Sequence, residues 1–278
     1  MVAGLAFLAT AIATVFAQAT AVRWSRSRAP HQGAWTFALA LFALASAALA
    51  TGASTGWDRG TFRAFYLLGA VINVPWLALG TIYLLAGRRV GNRVRGVLLV
   101  FTGFGAGAIL AAPMHGTIVP TGGIPVGKDH FGVLLRALAG AGSGVGAIVV
   151  FGGAAWSAVR FARARRPGTG RLAAGNGLIA LGTLVLSSGG LLQGIVGSDQ
   201  AFALTLAVGI AVIYGGFAVA SSASGARRQA GAPEPEAAPP GAAAEPGDAP
   251  SPESARRSNL PENERGSSST SSTRVGSL

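Results

Sequence analysis

Seven times along this chain an apolar run passes with no Lys, Arg, Asp or Glu well inside it, at 2–22, 33–53, 64–86, 96–113, 137–159, 173–196 and 201–222. About 20 such residues are what a helix needs to cross a bilayer. Within hydrocarbon a segment must satisfy its own backbone hydrogen bonds, so each run is predicted to be helical. Half of the 278 residues are hydrophobic and only 12% are charged, against about 25% charged in soluble domains. The expected fold is an all-α, polytopic bundle of seven transmembrane helices. After about residue 224 the text becomes GARRQAGAPEPEAAPPGAAAEPGDAPSPES and then GSSSTSSTRVGS. So little apolar bulk cannot offset the entropy of ordering, and 224–278 is predicted to be a disordered tail.

Charge placement gives an orientation. Arg23, Arg26 and Arg28 follow the first run, Arg88, Arg89, Arg93 and Arg95 the third, and Arg160, Arg163, Arg165, Arg166 and Arg171 the fifth. The even-numbered connections hold only Arg59, Arg63, Lys128 and Arg136, together with the three acids outside the tail, Asp58, Asp129 and Asp199. The excess of arginine on cytoplasmic loops predicts the N-terminus outside and the C-terminus inside. The net charge of +12 is then an orientation signal and a means of meeting anionic lipid heads. The bilayer is the expected partner and nucleic acid is not. An Ala-, Gly- and Arg-rich vocabulary with one lysine suggests a high-GC bacterial genome, and the expected location is the bacterial cytoplasmic membrane. ATVFAQATA has small residues, Ala17 and Ala19, placed as a signal-peptidase site would have them. No Lys or Arg precedes that run, so it is predicted to stay as a span; cleavage would leave six.

The chain also resembles itself. AVRWSRSRAP (21–30) matches AVRFARARRP (158–167), and at the same offset AFYLLGAV (64–71) meets AFALTLAV (201–208). Spans 1–3 thus correspond to spans 5–7 with span 4 as a connector, and an offset of four spans keeps direction, giving a parallel repeat. In this arrangement the chain resembles the broad seven-helix group that includes SWEET- and PQ-loop-type transporters and opsins, although it contains no PQ dipeptide. In VPWLALGTIYLLAGRRVG (74–91) and AGSGVGAIVVFGGAAWS (141–157) it is similar to uncharacterised seven-helix membrane proteins of actinobacteria, a resemblance that implies no activity.

Chemistry is limited by what is missing. The chain has no Cys, so thiol catalysis and Cys-ligated metals are excluded. The last span has no lysine for a retinal Schiff base, and the three histidines, His31, His115 and His130, do not pair within helices as a haem would need. No carboxylate lies inside a run, as proton coupling usually requires. No cofactor, metal site or enzymatic activity is expected. What remains is neutral. Asn73 stands before Pro75 and Trp76 near the middle of span 3, where proline frees a carbonyl and can open a helix around a solute. Gln193 is a second candidate on span 6. The connection 113–132 holds His115, Lys128, Asp129 and His130 among glycine and proline turns and is a candidate lid, with a spacing that matches no metal motif.

AGAGSGVGAIVVFGG (139–153) has the wrong spacing for a nucleotide loop and no strand before it. Gly140–Gly144 and Gly142–Gly146 are small-xxx-small pairs that let helices approach, and Gly103–Gly107 of span 4 is the expected partner of Gly140–Gly144. The expected function is passive transport of a small neutral or weakly polar solute. The alternative is a sensor or scaffold with ligand-binding external loops and a partner-recruiting tail.

Overall fold

The computed structural model describes residues 1–120, 123–164, 169–196 and 198–230, with side chains described throughout except at 191–196 and 223–230. Among these residues every regular element is a helix. α1 covers Val2–Ser27 and α2 Pro30–Thr55. Arg28, in the left-handed region at φ 51°, closes α1, and Pro30 opens α2, a position where a missing N–H costs nothing. α3 (Arg59–Phe65), a π-helical segment (Tyr66–Asn73) and α4 (Val74–Ala111) follow without interruption. α5 is one turn, Gly127–His130; α6 is Val133–Arg163, α7 Thr169–Val196 and α8 Asp199–Ala230.

Among the described residues six helices are long and apolar enough to cross a membrane, and the third of them, Arg59–Ala111, is 53 residues long. At 1.5 Å per residue that would be about 80 Å if straight, far beyond a hydrocarbon core of about 30 Å. It is not straight. Gly87 alone leaves the helical region (φ 81°, ψ 178°), a conformation that glycine adopts without a Cβ penalty. The chain doubles back there. Tyr83 donates from its hydroxyl to Asn92 Oδ1 (2.9 Å), Trp76 Nε1 donates to Thr102 Oγ1 (3.0 Å), and an Arg63 Nη donates to the Ala112 carbonyl (2.7 Å). These partners lie progressively farther from Gly87 on both sides, as they must in two antiparallel arms. Spans 64–86 and 96–113 are therefore arms of one helix, and the basic connection expected at 87–95 is helical except at Gly87. Arginine is a good helix former, so the hydrogen bonding runs through residues that an apolar-length criterion leaves out.

Most of the remaining boundaries move outward, those at Val2 and Val196 staying where expected, and α8 continues to Ala230, past the expected limit at 223. The rest of the predicted tail, 231–278, lies outside the described residues, as do Arg165 and Arg166.

Neighbouring helices form a ring: α1 packs on α2, α2 on the arm before Gly87, that arm on α6, α6 on α7, α7 on α8, and α8 back on α1. The α7–α8 contact is a glycine seam. A Cβ at Gly175 would meet the Gly216 carbonyl at 2.7 Å, and one at Gly182 the Gly209 carbonyl at 2.8 Å. Across the ring Phe16 of α1 packs on Tyr214 and Phe217 of α8 at 5.1 and 5.0 Å between centroids. The outer surface is apolar, with Val100 73%, Ile148 72% and Trp156 65% exposed, which suits lipid rather than water. Arg23 covers Phe217, and Leu85 lies against Gly153 near the end of α6, so the ends bearing the arginine clusters come together. At the other end Trp57 N–H donates to the Pro120 carbonyl and Ile124 N–H to Asp199 Oδ2.

Candidate functional site

The wall of the ring is weakest where the sequence places Pro75. Without an N–H, proline leaves the Val71 carbonyl unpaired in α register and the Ala70 carbonyl unpaired in π register. The helix widens into the π segment just before it, and Ser143 of α6 donates its hydroxyl to the Ala70 carbonyl at 2.6 Å. Gly142 lies so close to the Val71 carbonyl that a Cβ would meet it at 2.9 Å, and a Cβ at Gly146 would meet Val74 backbone at 2.9 Å.

Beside this contact the helices surround a cavity of about 660 Å³, within the roughly 300–1,000 Å³ usual for small-molecule sites. α2 contributes Leu39, Phe42 and Ser46; the first arm Tyr66, Asn73 and Leu77; α7 Thr183 and Leu186; α8 Phe202, Leu206 and Ile210. α6 lines it from Arg136 to Val150, a depth of about 21 Å. α6 then runs on to Arg163, and none of the lining residues belongs to the arginine-bearing end. The connection before α6 contributes Pro125–Lys128 to the near end. This cover is held in place: Asp199 accepts from Ile124 N–H at 2.8 Å, and Phe131 stacks on Phe62 at 5.4 Å and packs on Tyr66 at 4.8 Å.

Two polar groups of the wall have no partner. Asn73 is only 6% exposed, and its carboxamide makes no hydrogen bond among the described residues. Ser46 is fully buried, with an unpartnered hydroxyl. The Ser46 hydroxyl is enclosed, and a buried polar group left unpaired costs about 1–3 kcal/mol, whereas the Asn73 carboxamide is not fully enclosed and is the group of the two that a ligand can meet.

The candidates read from sequence separate here. Asn73 lines the cavity, whereas Pro75 and Trp76 are buried outside its lining. Trp76 joins the two arms through Thr102 and meets Phe37 edge-on at 4.7 Å. His130 is buried edge-on to Phe62 at 5.3 Å, and its Nδ1 donates to the His115 carbonyl at 3.0 Å while His115 N–H donates to the His130 carbonyl at 3.1 Å. This pair shapes the connection, with the His115 and Asp129 side chains exposed beside it and outside the cavity lining. Among the described residues no three His, Asp or Glu side chains gather as a metal set. Gln193 lies outside the described side chains.

The glycine expectation is corrected. A Cβ at Gly103, Gly107, Gly140 or Gly144 would meet nothing within 4 Å; the close contact belongs to Gly142 and Gly146, whose main neighbour is the arm before Gly87, while the second arm reaches Gly142 only through the Phe101 ring at 3.2 Å. Gly140 and Gly144 instead line the cavity. Sequence reasoning missed Ser46, Tyr66, Arg136 and Ser143. Ser46 is the single polar residue of LFALASAALA, which was the available signal. No family model, curated protein or solved structure matches this chain.

Proposed function

We propose that this protein is a seven-span protein of a bacterial cytoplasmic membrane, N-terminus outside and C-terminus inside, that holds a small, mainly apolar solute in its core and carries it passively. The observation that carries the reading is the apolar cavity with the unpartnered Asn73 carboxamide in its wall. The reversal at Gly87 supports counting seven spans, and the gathering of arginines at one end supports the orientation. The ring supports the triplet repeat, because α1–α2 and α6–α7 correspond, as do the contact of the first arm with α6 and that of α8 with α1. A cavity reaching one end only is one side of an alternating-access cycle. The π segment in its wall is an element with two hydrogen-bond registers.

Proteoliposomes loaded with a panel of small apolar and weakly polar solutes test this. Wild-type protein gives saturable exchange with at least one solute, and Gly144→Leu, which places bulk in the cavity without touching a neighbour, abolishes it while the protein still folds. No saturable exchange across the panel overturns passive transport. Saturable binding without exchange favours the sensor reading, which the one-ended cavity also suits.

A further inference from the structure

The cavity is polar at one end and aliphatic at the other. Lys128 and Arg136 line the end nearest the connection, with the Tyr66 ring beside them, whereas Leu77, Val150 and Ile213 line the far end. Among the described residues neither cation has a carboxylate partner. Asp58 accepts from Gly60 and Thr61 at the start of α3, Asp199 accepts from Ile124 N–H, and the exposed Asp129 makes no ion pair among the described residues. Two uncompensated positive charges above a low-dielectric pocket favour a negative group beside them. The same pocket cannot hold that group deeper, where an unpaired charge is very costly.

Resting on the solute-cavity reading above, we infer that the occupant is a single-chain amphiphile whose anionic head sits at Lys128 and Arg136 and whose tail lies along α6 toward Val150. The glycines at 140 and 144 give the tail its room, since no side chain stands between them and the cavity. The Asn73 carboxamide, which has no hydrogen-bond partner among the described residues, offers a polar contact along this volume. The surrounding leaflet offers the same chemistry in anionic phospholipids, one of whose chains would enter in the same direction.

Three probes with one tail separate the head groups: dodecanoate, dodecanol and dodecyltrimethylammonium, each measured as saturable binding to the full chain in phosphatidylcholine nanodiscs above that of empty discs. Dodecanoate binds about tenfold tighter than dodecanol, and dodecyltrimethylammonium binds least. In the double variant Lys128→Gln, Arg136→Gln, both positions being exposed, the preference for dodecanoate disappears and dodecanol is unchanged. Gly144→Leu removes binding of all three. Loss of dodecanoate binding in phosphatidylglycerol discs assigns the head to a leaflet lipid, and retention assigns it to a free acid. Equal binding of dodecanoate and dodecanol, or a preference that survives the double variant, overturns the head-group assignment and leaves the cavity as a solute site. No saturable binding of any probe overturns the inference outright, while passive transport is decided separately by the exchange assay.

Discussion

α6 and α7 are both rich in glycine, yet they use it in opposite ways. On α7, Gly175, Gly182 and Gly189 recur every seventh residue, two turns apart, and so form one stripe. At Gly175 and Gly182 that stripe meets α8 with main chain on main chain, where Gly216 and Gly209 have the same spacing, and at Gly189 it meets the Thr205 side chain. On α6 the glycines at 140, 142, 144 and 146 alternate with other residues, and a step of two residues turns about 200° around a helix. Gly142 and Gly146 therefore face the first arm, and Gly140 and Gly144 face nearly the opposite way, into the cavity. Glycine in a helix does not by itself attract a neighbour. It removes bulk, and the surrounding helices decide whether the space is closed by dispersion contact or left open for a ligand.

Leucine substitutions would break this comparison most sharply. Gly182→Leu forces a side chain onto the Gly209 carbonyl and Ile213 N–H, both within 3 Å of its Cβ, and is expected to cost about 3 kcal/mol or more. Gly177→Leu on the same helix meets open space and melts like wild type. Equal melting of the two in detergent micelles would show that the seam is not close-packed. A smaller effect is expected at the first-arm contact of α6. Ser143→Ala leaves the Ala70 carbonyl without its hydroxyl donor, a loss of about 1–3 kcal/mol, read as a lower melting point; no change there means that the π segment supports itself.

Acid titration has the smallest effect. The Thr61 hydroxyl, then the Thr61 and Gly60 N–H groups, hold the Asp58 carboxyl below its usual value. Its contribution is present above the unfolded value near 4 and is lost as pH falls through the lower folded value. Because the side chain is exposed, less than about 1 kcal/mol is involved. Asp58→Asn, which keeps a capping oxygen, should flatten the pH dependence of melting below about pH 4.

The helices were legible in the sequence because length and hydropathy alone specify them. Gly87 was harder to read, since GRRVGNRVR (87–95) looks like a solvated loop to any measure of apolarity and, through its arginines, like a helix to a measure of backbone propensity. Asn73 and Pro75 stood out as polar and imino residues inside an apolar run, and Asn73 does reach the cavity. The face of the α6 glycines was not legible, because glycine every second residue is compatible with contact on either side. The cavity itself is assembled from α2, the first arm, α6, α7 and α8, and only the tertiary arrangement brings Ser46 and Arg136 to the same space.

The two arms of the Arg59–Ala111 helix are joined through one non-helical residue, which leaves no loop between them. Trp76–Thr102 and Tyr83–Asn92 fasten them to each other as a hairpin. Arg88, Arg89, Arg93 and Arg95 all follow Gly87 directly, so their four charges gather at the closed end of the paired arms.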